Sequence, residues 1–559
     1  MSVRKLLIIG GVAGGASCAA RARRTREDLS IVILEKGPFV SFANCGLPYY
    51  VGNLIKKEED LLVASPELFR KRFAVDVRVL SEAVAIDRDK KIVRVRDLAA
   101  GREYDEPYDA LVLSPGARPF APPVPGTGLP GVFSVRNIPD CRDILDWAGK
   151  NRVGEAVVVG GGYIGVEIAE NLARRGIRVA IVEREKHLLP PLDPEMAVPV
   201  HAAAKKAGVE LHLSQSLAGI AAEPGGKLSV SLSLGRVLSA GMVILATGVV
   251  PETGLARAAG LALGESGGIA VDSRLRTSDP HIWAVGDAVE KTSLVTGLSR
   301  LVPLAGPANR QGRMAADIIC AGEGKGPEYR GTLGTSVVGA FGMTAAATGE
   351  TEKSLAAAAK KGVSIPYERV YAQALDHAEY YPGAKTLIIK LLVRKEDGRI
   401  LGAQAVGEQG VEKRVDVIAA MIFKHATAAD LENLDLCYAP QFGSAKDPAN
   451  LAAMIAGNAL SGFAPVARWE EAEAYGAVIL DVRTPFEWKR GHVPGALHIP
   501  VDELRQNLDS LPEDKEIWTY CYVGARSHLA VRMISQTGRK ARNLTGGYAI
   551  YQMMKSVED

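Results

Sequence analysis

Cysteine is scarce in this chain, with six in 559 residues, at positions 18, 45, 141, 320, 437 and 521. That is too few for a disulfide scaffold, and no pair stands as C-x-x-C, which argues against zinc ribbons and dithiol motifs. An excess of one charge is lacking too. Lys+Arg 67 against Asp+Glu 64 leaves +3, so bulk charge gives no ground for expecting a nucleic-acid partner. Uninterrupted apolar runs long enough for a bilayer are missing, so no membrane span is expected, and a reducing cytoplasm is the expected compartment. With 47% hydrophobic and 23% charged residues the composition is that of a globular protein, which excludes a disordered or fibrous chain. At about 150 residues per domain, the length implies three or four domains. Glycine is the outlier, 59 residues with many in tight clusters. Such clusters serve close approach of backbone to a ligand.

Arg4 to Cys18 has the outline of a secretory leader, a positive start and an apolar run. Lys5-Leu6-Leu7-Ile8-Ile9, however, has a strand's length, and Arg21, Arg23, Arg24 and Arg26 follow closely. A strand–turn–helix–strand is the better reading. Its turn is Gly10-Gly11-Val12-Ala13-Gly14-Gly15, with a helix expected over 16–26. Glu35 closes the next strand, 20 residues after Gly15. This is a dinucleotide layout, with a glycine turn, a helix N-terminus for pyrophosphate and a carboxylate for a ribose hydroxyl. Val12 occupies the middle position of G-x-G-x-x-G, a departure that leaves a plain tight turn as the alternative. A second copy is complete. Strand 156–159 leads into Gly160-Gly161-Gly162-Tyr163-Ile164-Gly165, then a helix with Glu167 and Glu170, then 179–183 ending in Glu183, 18 residues beyond Gly165. Two such units, 150 residues apart, imply two dinucleotides on one chain.

Further on, 243–248 reads as a strand closing a sheet, and 282–287 as a strand ending in Gly286-Asp287. The Asp287 carboxylate suits a ribityl chain; the alternative is an Asp that caps a helix from Ala288 onward. Together these features resemble the two-dinucleotide flavoprotein disulfide reductases, over about 455 residues. The resemblance implies an α/β fold with two Rossmann-like domains, the nicotinamide domain being inserted in the FAD domain. The FAD domain would be 1–112 and 250–325, the NAD(P)H domain 113–249, and an α+β dimerisation domain 326–458. For FAD it implies Gly10, Val12, Ala13, Gly15, Glu35, Lys36, Asp287 and Ala305; for NAD(P)H, with NADH favoured by Glu183, it implies Gly160, Gly162, Ile164, Gly165 and Glu183.

Dithiol members of that family keep C-x4-C against the flavin. Here Ser41-Phe42-Ala43-Asn44-Cys45-Gly46-Leu47-Pro48-Tyr49-Tyr50 offers one thiol. A single thiol cannot close an internal disulfide, so its oxidised form needs an oxygen or a sulfur from a ligand. A buried, unreactive cysteine is the alternative. The string resembles the single-cysteine branch, and its Leu-Pro-Tyr-Tyr ending resembles coenzyme A-disulfide reductases. By that resemblance coenzyme A would be held by Arg21, Arg24, Ser41, Asn44, Asn309, Arg310 and Lys446. Arg21 and Arg24 stand three apart and share a helix face; a solvated face is the plain reading of such a pair. The resemblance also implies an obligatory homodimer in which Tyr380 and Tyr438 come from the partner subunit to act beside the thiol. Either Tyr380 or Tyr381 fits the first role. Strands over 385–393 and 400–406 and a helix over 412–425 fit the dimerisation domain.

After Gly462-Phe463-Ala464-Pro465 the sequence changes character. Asp481-Val482-Arg483, Glu487-Trp488 and Gly491-His492-Val493-Pro494-Gly495-Ala496 precede Cys521-Tyr522-Val523-Gly524-Ala525-Arg526. This resembles a single α/β rhodanese domain over 465–559, in which loop N–H groups and a helix N-terminus around Cys521 favour a persulfide anion. Arg526 is five residues after Cys521, whereas a cysteine phosphatase loop needs one more, so the length favours sulfur over phosphate. An inactive rhodanese-like binding fold is the alternative.

The two halves together imply an enzyme that reduces coenzyme A disulfide, coenzyme A persulfide or polysulfide with NAD(P)H through FAD and Cys45, joined to a sulfane-sulfur site at Cys521. The rivals are an NADH oxidase or peroxidase working through Cys45 sulfenic acid, and a sulfur-carrying or redox-sensing interaction protein. No metal site is expected.

Overall fold

The computed structural model describes residues 3–322 and 324–558. The chain divides into two compact units, one running to Arg184 and including Gly208–Gly334, the other comprising Glu185–Ala207 and the chain from Thr335.

The first unit holds two parallel five-stranded sheets. One orders Ile282–Ala284, Ala110–Leu113, Lys5–Ile9, Ser30–Leu34 and Val75–Arg78; the other orders Glu210–His212, Arg178–Val182, Glu155–Val159, Met242–Leu245 and Val132–Phe133. Their central strands are apolar on both faces, and Leu6, Leu7, Ile8 and Val158 are fully buried. Strands buried on both faces read as continuous apolar runs, which is why these segments are legible without alternation. Met242–Leu245 pairs on both sides, with Glu155–Val159 and Val132–Phe133. The closing position thus falls to the short Val132–Phe133 strand rather than to the strand expected over 243–248. The first helix is Ala13–Thr25, beginning inside the glycine turn and three residues before its expected start. No helix begins at Ala288. A 3-10 turn, Gly286–Ala288, runs into the strand Glu290–Thr292, and the next helix is Ala305–Ala321. The helix-cap alternative for Asp287 is thereby removed.

The second unit carries an antiparallel sheet, ordered Ser336–Ala340, Met343–Gly349, Ile400–Gly407, Thr386–Arg394 and Tyr367–Leu375, with the helix Val411–Phe423. A further parallel sheet follows, Val466–Ala467, Ala541–Leu544, Ile517–Tyr520, Val478–Asp481 and Leu497–His498. The two sheets of this unit are joined by polar contacts. Thr545 Oγ1 accepts from the Tyr371 N–H at 3.2 Å, and Arg369 donates to both oxygens of Glu470 at 2.8 and 2.9 Å. Beneath them lies Lys390, fully buried, whose Nζ is 2.7, 2.5 and 2.6 Å from Asp193, Glu195 and Glu352. Those three carboxylates lie close enough to share a cation, and the Lys390 ammonium fills that role. Among the described residues no helix is long and apolar enough to cross a membrane.

Candidate active site

The two glycine turns repeat one design in detail. Gly10 has φ +91°, and a Cβ there would sit 2.0 Å from the Ser114 carbonyl oxygen; Gly160 has φ +108° and would meet the Ala246 oxygen at 2.3 Å. Only glycine serves at such points. In each turn the next N–H donates to the acid that ends the second strand: Gly11 to Glu35 Oε2 at 2.8 Å, Gly161 to Glu183 Oε2 at 2.6 Å. The Gly37 N–H holds the other Glu35 oxygen at 2.8 Å. Burial raises the Glu35 pKa, and these two N–H bonds oppose it. A Cβ at Gly162 would meet nothing within 4 Å. That leaves open room beside the N-terminus of the helix Tyr163–Arg174, where a pyrophosphate fits. At the matching place Val12 precedes its helix with φ −94°, so no left-handed conformation demands glycine there.

Asp287 stands in its 3-10 turn, its pKa raised by burial and held back by Lys291 and Arg136. The Gly286 N–H donates to Gln311 Oε1 at 2.9 Å, and the buried Gln311 Nε2 finds no partner in the chain. An unsatisfied donor beside Asp287 fits a polar cofactor. Lys291 is buried, its Nζ 2.7 Å from the Gly286 oxygen, and burial brings its pKa down to about 8 against the pull of Asp287. Ala305 opens the helix Ala305–Ala321, and Lys36 pairs with Glu82 at 2.8 Å.

Cys45 is exposed in the 3-10 turn Asn44–Gly46, and its N–H bonds to Asn44 Oδ1 at 3.1 Å. Its pKa is raised, first by desolvation and then by the carboxylates of Glu167 and Asp287. Glu167 belongs to the second dinucleotide module and Asp287 to the first, so the charges of both modules oppose the Cys45 thiolate. Tyr49 donates to Glu167 Oε1 at 2.9 Å, tying the Cys45 segment to the helix of the second turn. Glu167 and Tyr49 had no site role in the sequence reading, because their contact spans 118 residues. Cys141 cannot serve as a second thiol. It is buried, 3.9 Å from the Leu47 oxygen, with its pKa pushed up to about 12 by burial.

The residues expected to hold coenzyme A have diverse surroundings. Ser41 has φ +48°, a strained conformation for a non-glycine residue, and its N–H bonds to the Gly11 oxygen at 2.9 Å. Arg21 is ion-paired with Asp317 at 2.5 Å, whereas Arg24 is exposed with its guanidinium 5.3 Å above the Phe73 ring. Asn309 accepts from Ser17 Oγ at 2.6 Å, and Arg310 and Lys446 are exposed. In the second unit Tyr380 and Tyr438, both exposed, share a 2.8 Å hydroxyl–hydroxyl bond, which raises the Tyr380 pKa. Tyr381 instead meets the His377 ring edge-on at 5.7 Å.

Cys521 follows the strand Ile517–Tyr520 and is buried. The loop Tyr522, Val523, Gly524, Ala525 and Arg526 wraps it into the helix Ala525–Ser535, with Gly524 at φ +106°. The Gly524 N–H points at Sγ from 3.1 Å, and Ser527 Oγ lies 3.5 Å from it. Asn543 braces both, accepting from Ser527 Oγ at 2.7 Å and donating to the Gly524 oxygen at 3.0 Å. Arg526 grips Glu487 through two bonds of 2.7 Å, and that pair holds the Glu487 pKa down to about 2. The sequence reading gave Glu487 no role. Its signal was the Thr484-x-x-Glu487 capping box, which the structure forms.

Residues 4–312 match the pyridine nucleotide-disulphide oxidoreductase family, 336–449 the dimerisation domain of that family, and 467–553 the rhodanese-like domain. A coenzyme A disulfide reductase of Staphylococcus epidermidis is 30% identical over 449 residues, 80% of this chain and 99% of that protein. An NADH oxidase of Methanocaldococcus jannaschii is 36% identical over 451 residues, 80% of this chain and 98% of that protein. Two solved structures match through the C-terminal domain. Reduced Bacillus anthracis CoADR-RHD has a TM-score of 0.95 at 45% identity, covering 99% of this chain and 98% of that one. An NAD-dependent persulfide reductase from A. fulgidus has a TM-score of 0.89 at 37% identity, covering 98% and 100%.

Proposed function

Since the chain belongs to the pyridine nucleotide-disulphide oxidoreductase family, we propose that it is an NAD(P)H-dependent reductase of sulfur–sulfur bonds on coenzyme A, either the disulfide or the persulfide. The observation that carries this reading is Cys45 itself, one exposed thiol in the turn that follows the first dinucleotide module, with Cys141 buried. The relatives named for coenzyme A disulfide and persulfide reduction support the substrate class.

Bound FAD would relay an electron pair from NAD(P)H to sulfur. Glu35, Asp287 and the Gly10 turn would hold it; Glu183 and the Gly160 turn would hold the nicotinamide dinucleotide. Cys45 Sγ, as thiolate, attacks coenzyme A disulfide, forming a Cys45–S–S–CoA bond and releasing one coenzyme A thiolate. Two electrons and one proton then cleave that bond to the second thiol and restore the Cys45 thiolate. With both thiols protonated, one NAD(P)H and one proton are consumed per disulfide. A phenol held as neutral donor suits a leaving thiolate, and the Tyr380–Tyr438 pair, supplied by the partner subunit of a homodimer, takes that role in this reading. Arg24, Arg310 and Lys446 remain exposed for phosphate contacts, while Arg21 is engaged with Asp317.

Peptide mass spectrometry of the purified protein tests the proposal. A coenzyme A adduct on Cys45 that NADH removes is expected. An added oxygen at Cys45, with no response to coenzyme A disulfide, would replace this reading with the oxidase one, which the relative named NADH oxidase makes the rival to exclude.

A further inference from the structure

The backbone of the Cys521 loop is tied to the start of the helix Gly547–Glu558. The Tyr548 N–H donates to the Cys521 oxygen at 2.8 Å and the Ala549 N–H to the Tyr522 oxygen at 3.0 Å. First-turn N–H groups have no acceptor within their own helix, which leaves these two free to bond outward. A trans peptide is planar, with its C=O and N–H opposed. Drawing the Cys521 and Tyr522 oxygens to the helix therefore turns the Tyr522 and Val523 N–H groups to the other side of the loop. Neither finds an acceptor among the described residues. The Gly524 N–H, next along, meets Sγ at 3.1 Å, and Arg526 reaches Cys521 as well as Glu487.

The segment that opens this helix is held in part from another domain. Gly546 and Gly547 are both left-handed, at φ +78° and +63°. A Cβ on Gly547 would lie 2.6 Å from the Cys521 oxygen, and one on Gly546 2.3 Å from Ile550. Glycine permits this close approach, yet of all residues it is the one most free to leave it. The C-terminal domain restrains the step through the Thr545 N–H, bonded to the Ala467 oxygen at 3.1 Å. The antiparallel sheet adds two bonds from its edge strand Tyr367–Leu375: the Tyr371 N–H to Thr545 Oγ1 at 3.2 Å, and Gln373 Nε2 to the Gly546 oxygen at 2.9 Å. Tyr371 is itself fixed, its hydroxyl donating to Glu195 Oε1 at 2.8 Å.

We propose that Gln373, in the dimerisation domain, is a positioning residue for Cys521. It holds the Gly546–Gly547 step so that the loop N–H groups face the sulfur, and sulfur transfer at Cys521 thereby depends on the dimerisation domain. The inference rests on reading Cys521 as a sulfane-sulfur carrier and is independent of the role given to Cys45. In the step concerned, the Cys521 thiolate attacks the protonated terminal sulfur of a hydrogen polysulfide. The donor's S–S bond breaks, a Cys521–S–SH bond forms, and the polysulfide, shorter by one sulfur, departs with the electron pair. Charge is conserved and no oxidant is consumed. The loop N–H groups favour the attacking thiolate and the persulfide anion that follows.

The test uses the reduced full-length protein and inorganic polysulfide, with added sulfur located by peptide mass spectrometry. Cys45, read in the same digest, is the internal standard. Gln373→Leu keeps the bulk and removes the bond to Gly546. At pH 7 it should load Cys521 about 3- to 10-fold more slowly than wild type, the worth of one hydrogen bond, with Cys45 nearly unchanged. The deficit should narrow above pH ~9, where a thiol ionises unaided, a dependence that general loss of folding would not show. An unchanged Cys521 rate overturns the proposal. So does a faster one, which would mean that the loop had only opened to the donor, and so does an equal fall at Cys45. If Gln373→Leu fails to fold, Gln373→Glu, which keeps the length and withdraws the donor, is read by the same criteria. Failure of polysulfide to place sulfur on Cys521 in wild type would instead overturn the carrier reading beneath it.

Discussion

Cofactor choice can be worked from one carboxylate. Glu183 is only 7% exposed, and its Oε2 is held by the Gly161 N–H at 2.6 Å. A carboxylate so placed accepts from a ribose 2′-OH and repels a 2′-phosphate. At an effective dielectric of ~20 and a separation of ~4 Å, two unit charges repel by about 4 kcal/mol. Halving that for screening leaves a factor of about 30 at 1.4 kcal/mol per decade. The N–H bond keeps the acid from swinging aside, so the clash persists, while the adjacent Arg184 is an exposed cation that would offset it if turned toward the ribose. We expect NADH to exceed NADPH in kcat/KM by roughly that factor. Glu183→Gln retains an oxygen for the Gly161 N–H and removes the charge, so the ratio should collapse toward one. Steady-state kinetics with both cofactors and one acceptor, on both proteins, checks this. A wild-type ratio near one would show that Arg184 compensates. A preference for NADPH, or a Glu183→Gln protein with an unchanged ratio, would refute the placement of Glu183 on the ribose.

The dinucleotide modules were legible because their constraints are local. A strand buried on both faces, a glycine turn and an acid one strand later all lie within about 35 residues, and the second copy repeats the first where Val12 broke the pattern. Cys45 and Cys521 were legible by residue type and neighbours. What escaped were pairings across the chain, which leave no period. Arg526 meets Glu487 39 residues away, Tyr380 meets Tyr438 58 away, and Arg21 meets Asp317 296 away. The last changes the chemistry: two arginines expected to act alike on one helix face have different tasks, because only one has an aspartate opposite. Lys390 escaped for the same reason. It sits in an otherwise apolar strand, Thr386–Arg394, and its partners come from 193, 195 and 352. Asp287 was misleading in one alternative only, since a Gly-Asp step after a strand serves a helix cap and a 3-10 turn equally well.

Cys45→Ser should keep its flavin absorbance yet lose coenzyme A disulfide reduction by at least ~10³-fold, as loss of a nucleophile requires; full NADH-dependent turnover would remove Cys45 from the mechanism. Cys521→Ser should abolish sulfur loading from any donor while sparing coenzyme A disulfide reduction; if both activities fall together, the two sites are not separable. Lys390→Ala would leave Asp193, Glu195 and Glu352 buried without a cation, a change of ~3–5 kcal/mol that should lower Tm on the order of 10 °C; an unchanged melting curve would mean the network contributes nothing. Acid stability should carry the mark of Glu487. Its Arg526 bonds, opposed by burial and aided by Thr484, hold the folded pKa at about 2, below the ~4.3 of an unfolded glutamate. A group so depressed stabilises the fold above pH ~4.3 and loses that contribution as pH falls toward its folded value. Two pKa units correspond to ~3 kcal/mol, which partial exposure of the pair reduces to ~1–2. Glu352, held down to about 2 by Lys390 and Arg369 despite burial, weakens the fold over the same range. It does so equally in wild type and in Glu487→Gln, so the difference between the two proteins isolates Glu487. Urea melts should show that difference at pH 7 and its shrinkage to about half near pH 3; a difference that stays constant over that range would mean the Arg526 pair adds no net stability.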